Sequence, residues 1–136
     1  MPSVAKQGRL ILHLNRKAMK IDRQEVHGKY SGHCAYCGWL ISVKDMQVDH
    51  IIPKRNFHKG RINYDVNDIK NLNPACRVCN NWKHTWSIEE FRREIGEQVD
   101  RAFKTSSNFR MALRYGQIKL TQSKIVFYFE RLKEVE

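Results

Sequence analysis

Three short stretches decide how this chain folds: Cys34-Ala-Tyr-Cys37, Asp49-His50-Ile51-Ile52-Pro53 and Cys76-Arg-Val-Cys79. Two cysteines separated by two residues can bind one metal ion from a single turn of chain, and two such pairs fill a tetrahedral zinc shell. The sequence therefore predicts a structural zinc site that ties the ends of the intervening segment together. Its ligands are Cys34, Cys37, Cys76 and Cys79, which are all four cysteines of the chain. Paired disulfides and a thiol redox pair are the alternative uses of these cysteines.

The charge balance of the chain indicates a polyanionic partner. Its 136 residues include 25 Lys or Arg against 14 Asp or Glu, which gives a formal net charge of +11. Nucleic acid is the commonest partner of so basic a chain, and a merely solvated basic surface is the alternative. No apolar run is long enough to span a bilayer, so we expect no membrane partner. An even cysteine count without a secretion signal favours a reducing, cytoplasmic or otherwise intracellular compartment.

The length of the chain predicts one folded domain. Residues 1–20 contain several Lys and Arg and no acidic residue, so they are expected to form a basic N-terminal arm. Residues 21–136 are expected to form the single domain. Within it, residues 34–84 are the motif core and residues 87–136 are a helical and C-terminal extension. Monomer and homodimer both remain open.

Local patterns predict how the motifs are held. Helices are expected over residues 22–31 and 77–85, on the outer sides of the two cysteine pairs. The apolar and β-branched residues 39–43 predict a strand, and residues 46–48 start a second strand that leads into the Asp-His dipeptide. Residues 54–70 are polar and are expected to form an exposed loop.

The second half of the chain predicts helices and a buried tail. Ser87 and Glu90 form a capping box at the start of a helix, and Ser106 or Ser107 is expected to cap another helix through Leu113. Apolar residues recur at helical spacing and predict one buried face; they are Ile88, Phe91, Ile95, Val99 and Phe103. The aromatic residues 125–129 predict a strand or a buried segment.

The Asp-His dipeptide acquires a chemical meaning from the residues after the second cysteine pair. An isolated Asp-His is usually a turn carboxylate beside a structural histidine. If the segment after Cys79 is helical, however, Asn80 and His84 lie four residues apart on one face. Because the zinc site holds this helix near the second strand, Asp49, Asn80 and His84 can converge on one divalent cation. His50 points to the opposite side of the strand and is available as a base.

The order of these residues resembles the HNH endonuclease family in its zinc-stapled form. The resemblance covers residues 34 to 84 and includes Asn71-Leu72 and Lys83 besides the motifs above. It implies an α+β fold with a small ββα-metal, treble-clef-like core stapled by the four-cysteine zinc site. Flanking helices and the C-terminal strand or buried segment complete that expected architecture.

The resemblance also implies a role for each matching residue. His50 would be the general base, and Asn71 would hold the loop and orient His50. Asp49 and Asn80 would bind the catalytic cation. His84 lies where colicin DNases carry a further metal-binding histidine, whereas other members have no ligand there, so an exposed or capping histidine is the alternative.

The implied function is a metal-dependent endodeoxyribonuclease that nicks or cuts DNA by hydrolysis. Mg²⁺ or Mn²⁺ is the expected catalytic ion, and Ni²⁺ or Zn²⁺ becomes possible if His84 binds. Because the base must be neutral, activity is expected to fall on acidification. Backbone phosphates are expected to contact Lys54, Arg55, Arg77 and Lys83.

Two other functions fit the same sequence. One is a catalytically inactive zinc-containing module that binds nucleic acid, and the other is an interaction protein that uses its aromatic tail. Small free-standing members of the family occur in phages, mobile introns and restriction or defence systems, so a phage or mobile element is one setting and the others stay open.

Overall fold

The fold is described from a computed structural model, which covers residues 18–57, 62–121 and 123–134. Residues 1–17 of the expected basic arm therefore lie outside the described residues. The elements found within the described ranges are α1 (Arg23–Gly28), β1 (Gln47–His50), α2 (Lys54–Phe57), a 3-10 turn (Ile69–Asn71), β2 (Leu72–Ala75), α3 (Arg77–Lys83), α4 (Ile88–Gly96), α5 (Gln98–Thr105), α6 (Ser107–Arg114) and α7 (Tyr128–Glu134).

A two-stranded antiparallel sheet and one helix form the centre of the fold. In the sheet, β1 pairs with β2 so that Asp49 lies opposite Asn73 and His50 lies opposite Leu72. The following helix α3 packs against β1. The predicted α+β fold with a ββα core is confirmed, and the segment between the two cysteine pairs supplies both of its strands.

The predicted strand at residues 39–43 is wrong. This segment turns back on the first cysteine pair, and its strand-like pairing among the described residues is an isolated bridge between His33 and Leu40. Trp39 and Leu40 are both 75% exposed. The strand that pairs with β1 is instead residues 72–75. Pro74 makes this strand hard to predict from sequence, because proline cannot donate a ladder hydrogen bond and is confined largely to edge strands.

The helix before the first cysteine pair is confirmed in a shorter form. Helix α1 starts after Asp22, whose side chain accepts hydrogen bonds from the backbone N–H groups of Gln24 and Glu25. The expected loop over residues 54–70 contains two short helical pieces, α2 and the 3-10 turn. Phe57 of α2 is buried, so this loop is anchored to the domain.

An aromatic cluster forms the main core. Tyr36 meets the rings of Phe91 and Phe127 edge to face, with centroids 5.5 Å and 5.3 Å away. Phe91 and Phe127 stack on each other at 5.3 Å. Phe127 is 2% exposed, so the predicted buried C-terminal segment is confirmed. The backbone N–H groups of Tyr128 and Phe129 donate to Tyr36 and Ala35, which lie between the first two cysteines.

The predicted single apolar face after Ser87 is only partly correct. Ser87 caps α4 through a hydrogen bond from the Glu90 N–H, and Phe91 is 1% exposed. Helix α4 ends at Gly96 and a separate helix, α5, begins at Gln98; on α5, Val99 is 44% exposed and Phe103 is 52% exposed. Glycine disfavours a continuous helix because it gains the most backbone freedom on unfolding. Ser106 caps α6, as one of the two predicted serines.

The aromatic core gives a first test. We expect Phe91→Ala to lower the free energy of unfolding by about 3–5 kcal/mol, because it removes a large buried ring and leaves a cavity. Phe103→Ala, the matched change at an exposed position, is expected to cost about 0.5 kcal/mol or less. Urea denaturation of both variants measures the difference. Equal losses would show that the apolar face continues through α5 as the sequence predicted.

Candidate active site and metal centre

The four cysteines come together in one cluster. Their sulfur atoms all lie within 4.8 Å of one another, and Cys37 Sγ is 3.8 Å from Cys76 Sγ. A metal bound tetrahedrally at about 2.3 Å from each sulfur places neighbouring sulfurs about 3.8 Å apart, whereas a disulfide brings them to about 2 Å. The geometry therefore fits a structural metal such as zinc and does not fit a disulfide between these two residues.

Two tight turns hold the cysteines in position. In the first, the Gly38 N–H donates to the Cys34 carbonyl, and Gly38 has a φ of +82°. A Cβ at Gly38 would lie 2.9 Å from a ring carbon of Tyr128, so this position requires glycine for conformation and for space. In the second, Cys76 is the N-cap of α3, and its sulfur accepts a hydrogen bond from the Cys79 N–H at 3.4 Å.

The proton affinities of the thiols show why such a cluster favours a cation. A hydrogen bond from the Cys79 thiol lowers the pKa of Cys34 to about 4 against the opposing effect of burial. The same hydrogen bond and burial raise the pKa of Cys79. Burial, followed by the negative charge of Cys34, raises the pKa of Cys37 to about 11. A thiolate at Cys34 thus disfavours ionisation of the neighbouring thiols, because like charges repel. A bound divalent cation would offset this repulsion.

A cleft of about 260 Å³ lies between β1 and α3. Its walls contain Val48, Asp49, His50, Pro53, Lys54, Arg55, Asn80, His84 and Thr85. The structure therefore brings Asp49, Asn80 and His84 to the same cleft as His50. Their catalytic and metal-binding roles stay predictions.

Asp49 lies at the buried edge of this cleft and is 4% exposed. Its Oδ2 accepts a short hydrogen bond from the Tyr36 hydroxyl, and the Lys83 ammonium lies 3.1 Å from each carboxylate oxygen. Burial raises the pKa of Asp49, and the Lys83 charge opposes that rise. Burial and the Asp49 charge raise the pKa of Tyr36 well above its ordinary value, so the tyrosine is a neutral donor.

Lys83 does not have the surface position that a phosphate contact would require. Its side chain is 0% exposed, and its ammonium donates to Asp49 and to the backbone carbonyl of His50, at 3.1 Å in each case. Lys83 is the last residue of α3 and follows Asn80 by three residues. Its side chain points towards β1 and away from solvent. Lys83 is therefore a buried counter-ion that the charge pattern alone did not distinguish from a surface lysine.

The buried network continues away from the cleft. The Tyr36 hydroxyl accepts a hydrogen bond from Asn73 Nδ2 at 3.3 Å, and Asn73 Oδ1 accepts one from the Lys29 ammonium at 3.3 Å. Sequence analysis missed both Tyr36 and Asn73. A correct strand pairing would have revealed Asn73, since it lies directly opposite Asp49.

Asn71 and the His50 ring make their side-chain hydrogen bonds to different partners. Asn71 is buried and holds the loop, since its Oδ1 accepts from the Ile52 N–H at 2.9 Å and its Nδ2 donates to the Val66 carbonyl at 2.9 Å. The hydrogen bond of the His50 ring, however, joins His50 Nε2 to Asn67 Oδ1 at 2.7 Å. Orientation of the ring thus involves Asn67, which lies in the loop that was predicted only to be polar and exposed.

His84 occupies a strained backbone position. It follows the last residue of α3 with φ 50° and ψ −120°, a positive-φ conformation that is costly for residues other than glycine. The helix thus ends earlier than the predicted residue 85, yet His84 still lines the cleft beside Asn80. Such strain, about 1–3 kcal/mol per residue, clusters at functional sites.

The remaining predicted phosphate contacts differ in position. Lys54 and Arg55 are exposed on α2 and line the cleft, so two positive charges lie along its wall. Arg77 is exposed at the start of α3 and is not among the residues lining the cleft.

The donor atoms of the cleft suit a divalent cation. A carboxylate, an amide and an imidazole are supplied by Asp49, Asn80 and His84. An ionised carboxylate has about four lone-pair positions. Tyr36 and Lys83 make three contacts with the carboxylate oxygens of Asp49, so these contacts leave one lone-pair position unused.

Comparison with known proteins agrees with the motifs. Residues 34–85 match the model of a family described as HNH endonuclease. This match confirms the resemblance seen in the sequence for residues 34–85 and supports a nuclease function in general.

The curated relatives are longer proteins. The "SPbeta prophage-derived putative HNH endonuclease YoqL" of Bacillus subtilis (strain 168) is 29% identical over 80 residues, which is 58% of this chain and 35% of that protein. Ubiquitin carboxyl-terminal hydrolase 4 of Candida glabrata is 24% identical over 135 residues, which is 91% of this chain and 15% of that protein. The chain therefore spans about a third of the first relative and less of the second.

Among solved structures, the Type II-C Cas9 enzyme from Actinomyces naeslundii is similar with a TM-score of 0.44 and 19% identity. The match covers 88% of this chain and 14% of that chain.

Among the described residues, no helix combines the length and the apolar character needed to cross a membrane.

The buried ion pair gives a second test. We expect Lys83→Met to lower the free energy of unfolding by about 3–5 kcal/mol, because it leaves the Asp49 carboxylate buried without its counter-ion. Lys54→Met is the matched control at an exposed position and is expected to change stability by about 0.5 kcal/mol or less. Chemical denaturation without added divalent cation measures both variants.

The double variant Lys83→Met/Asp49→Asn completes the cycle. It is expected to recover part of the loss, since the amide has no charge to leave unpaired. A double variant as unstable as the sum of both single variants would mean that the two groups do not interact.

Proposed function

We propose that this chain is a metal-dependent endonuclease that hydrolyses phosphodiester bonds of DNA, with His50 as the general base. The observation that carries the proposal is the shared cleft, where His50 lies beside the oxygen and nitrogen donors of Asp49, Asn80 and His84. This cleft lies within the segment that matches the HNH endonuclease family.

The base function is supported by how the His50 ring is held. One ring nitrogen is engaged by Asn67, and the backbone carbonyl of His50 is held by Lys83. The other ring nitrogen can accept a proton from water as that water attacks phosphorus. Because the strand and the Lys83 contact fix the backbone, the ring requires little reorganisation before the reaction.

Asp49, Asn80 and His84 are the residues that would hold the catalytic cation. When bound, a divalent cation supplies neutralisation of the negative charge that develops on the phosphate and on the leaving 3′ oxygen. Mg²⁺ or Mn²⁺ suits the oxygen donors, and the His84 imidazole also admits Ni²⁺ or Zn²⁺. The strained backbone of His84 supports a functional role, since a glycine would fit that position at lower cost.

DNA is the proposed substrate because the entrance to the cleft is basic. Lys54 and Arg55 are exposed along its wall, and the whole chain has a formal net charge of +11. These contacts would be made to the phosphate backbone and would give affinity that depends on salt, without sequence choice. Lys83 would act indirectly, by holding the Asp49 carboxylate in place. The family pattern implies products with 5′-phosphate and 3′-hydroxyl ends.

The cleavage test uses supercoiled plasmid with Mg²⁺ or Mn²⁺. We expect the wild type to relax the plasmid and His50→Ala to lose about 10²–10⁴-fold in rate, because the base is removed. Asn80→Ala is expected to lose at least about 10-fold by weakening the cation site, whereas the exposed neighbour Asn81→Ala stays within about twofold.

Folding of each variant is checked by circular dichroism and metal content. Activity of His50→Ala equal to the wild type would reject the mechanism. If the wild type binds the plasmid but cleaves it with none of the named ions, the chain is the inactive nucleic-acid-binding module.

The cysteine cluster is proposed to hold a structural Zn²⁺. A shell filled by four thiolates leaves no position for water, so this ion would stabilise the fold and take no part in hydrolysis. We expect one zinc ion per chain by elemental analysis, and Cys76→Ser is expected to lose that ion and to lower the melting temperature.

The role of this zinc is separable from that of the catalytic ion. Removal of zinc by a strong chelator is expected to unfold the motif core, since metal binding of this kind supplies folding free energy directly. Subsequent addition of Mg²⁺ should not restore the near-ultraviolet circular dichroism, whereas Zn²⁺ should. A metal-free protein with an unchanged melting temperature would contradict the structural role.

A further inference from the structure

The side chain of Asn67 joins the proposed base to a different part of the chain. Its Oδ1 lies 2.7 Å from His50 Nε2, and its Nδ2 donates to the Met19 carbonyl at 2.8 Å. We infer that Asn67 is a positioning residue that holds His50 in the tautomer protonated on Nε2, leaving Nδ1 as the atom that takes the proton from water. This inference rests on the proposed function, since it assigns the reacting atom of the same base.

The amide orientation of Asn67 determines the tautomer. A backbone carbonyl can only accept a hydrogen bond, so the group of Asn67 that faces Met19 must be the donating Nδ2. The other end of the amide is then the carbonyl Oδ1, which can only accept. Because Oδ1 faces His50 Nε2, that ring nitrogen must carry the hydrogen. The opposite amide orientation would place two acceptors against each other at Met19.

The backbone around Asn67 is fixed independently of His50. Asp65 Oδ1 accepts hydrogen bonds from the Asn67 N–H at 2.8 Å and from the Met19 N–H at 3.1 Å. The neighbouring Val66 carbonyl is held by Asn71 Nδ2 at 2.9 Å. The backbone at Asn67 is therefore held by contacts that do not involve the imidazole, as expected of a residue that orients another one.

The ring that Asn67 orients is fixed at its own backbone. His50 is the last residue of β1, and its carbonyl accepts a hydrogen bond from the buried Lys83. With the backbone and Nε2 both held, ring rotation would break the 2.7 Å contact to Asn67. Neutral histidine in water populates both tautomers, and only one of them presents a lone pair at Nδ1.

A purely structural role is the competing explanation. In that case Asn67 would only connect residue 19 to the loop, and its loss would lower stability without changing the tautomer of His50. The two roles therefore differ in a spectroscopic property of the ring, which can be measured without any cleavage assay.

The first experiment is nitrogen NMR of the histidine rings in the full chain. Spectra are recorded at alkaline pH, where the imidazoles are neutral, and His50 is assigned by comparison with His50→Gln. We expect the wild-type His50 signals to be those of the Nε2–H tautomer. A predominant Nδ1–H tautomer in the wild type would overturn the inference, whether or not the protein proves to be a nuclease.

The second experiment compares three variants. Asn67→Leu removes both hydrogen bonds, and we expect a mixed tautomer population with a loss of kcat of about 10–100-fold and little change in KM. Asn67→Asp keeps an acceptor towards Nε2 but places a carboxylate oxygen against the Met19 carbonyl and a negative charge beside His50. It is therefore expected to retain the Nε2–H tautomer, to be less stable than the wild type, and to keep more of kcat than Asn67→Leu at alkaline pH, where the imidazole is neutral. Asn108→Leu is the same substitution at an exposed position of α6 and is expected to behave as the wild type.

The outcomes separate this inference from the proposed function. Loss of kcat in both Asn67 variants with an unchanged tautomer would assign Asn67 a structural role and overturn the inference. If Asn67→Leu does not fold, the wild-type spectrum and Asn67→Asp still decide the question. An absence of cleavage by the wild type would reject the endonuclease, whereas the tautomer would be read from the spectrum as before.

Discussion

The ion pair between Asp49 and Lys83 is the constraint on which the site depends. A carboxylate and an ammonium this deeply buried must stay together, because either one alone is costly in an apolar interior. The pair joins the strand that delivers His50 to the helix that delivers Asn80, and the same ammonium holds the His50 carbonyl. The ion pair therefore constrains the spacing between strand and helix, while the aromatic cluster of Tyr36, Phe91 and Phe127 packs as an apolar core.

Helix α3 is held at both ends. A helix of seven residues is not stable by itself in water, because too few hydrogen bonds repay its nucleation. At its start, Cys76 and Cys79 belong to the sulfur cluster, and at its last residue Lys83 is buried against β1. The C-terminal segment supports this arrangement from outside, since the N–H groups of Tyr128 and Phe129 donate to the turn between Cys34 and Cys37. Asn80 lies between these two fixed points.

The sequence predicted those features that depend on spacing and missed those that depend on long-range packing. Cysteine pairs and an i,i+4 relation on a helix are local geometry, so the cluster and the common location of Asn80 and His84 followed directly. The pairing of β1 with residues 72–75 could not be read from pattern, because β2 contains Pro74 and no alternation. The burial of Lys83 and the contact of Asn67 with His50 required knowledge of which distant segment lies opposite, which a single sequence does not contain.

The positive φ at His84 lowers the stability of the fold at a residue that lines the cleft. Glycine would relax this turn and is expected to increase thermal tolerance, since it accepts a positive φ without a steric penalty. Substitutions selected for heat resistance would thus be drawn to position 84, where they would remove an imidazole from the cleft. Engineering of a more thermostable variant should leave His84 unchanged and should substitute the exposed apolar side chains of α5 instead.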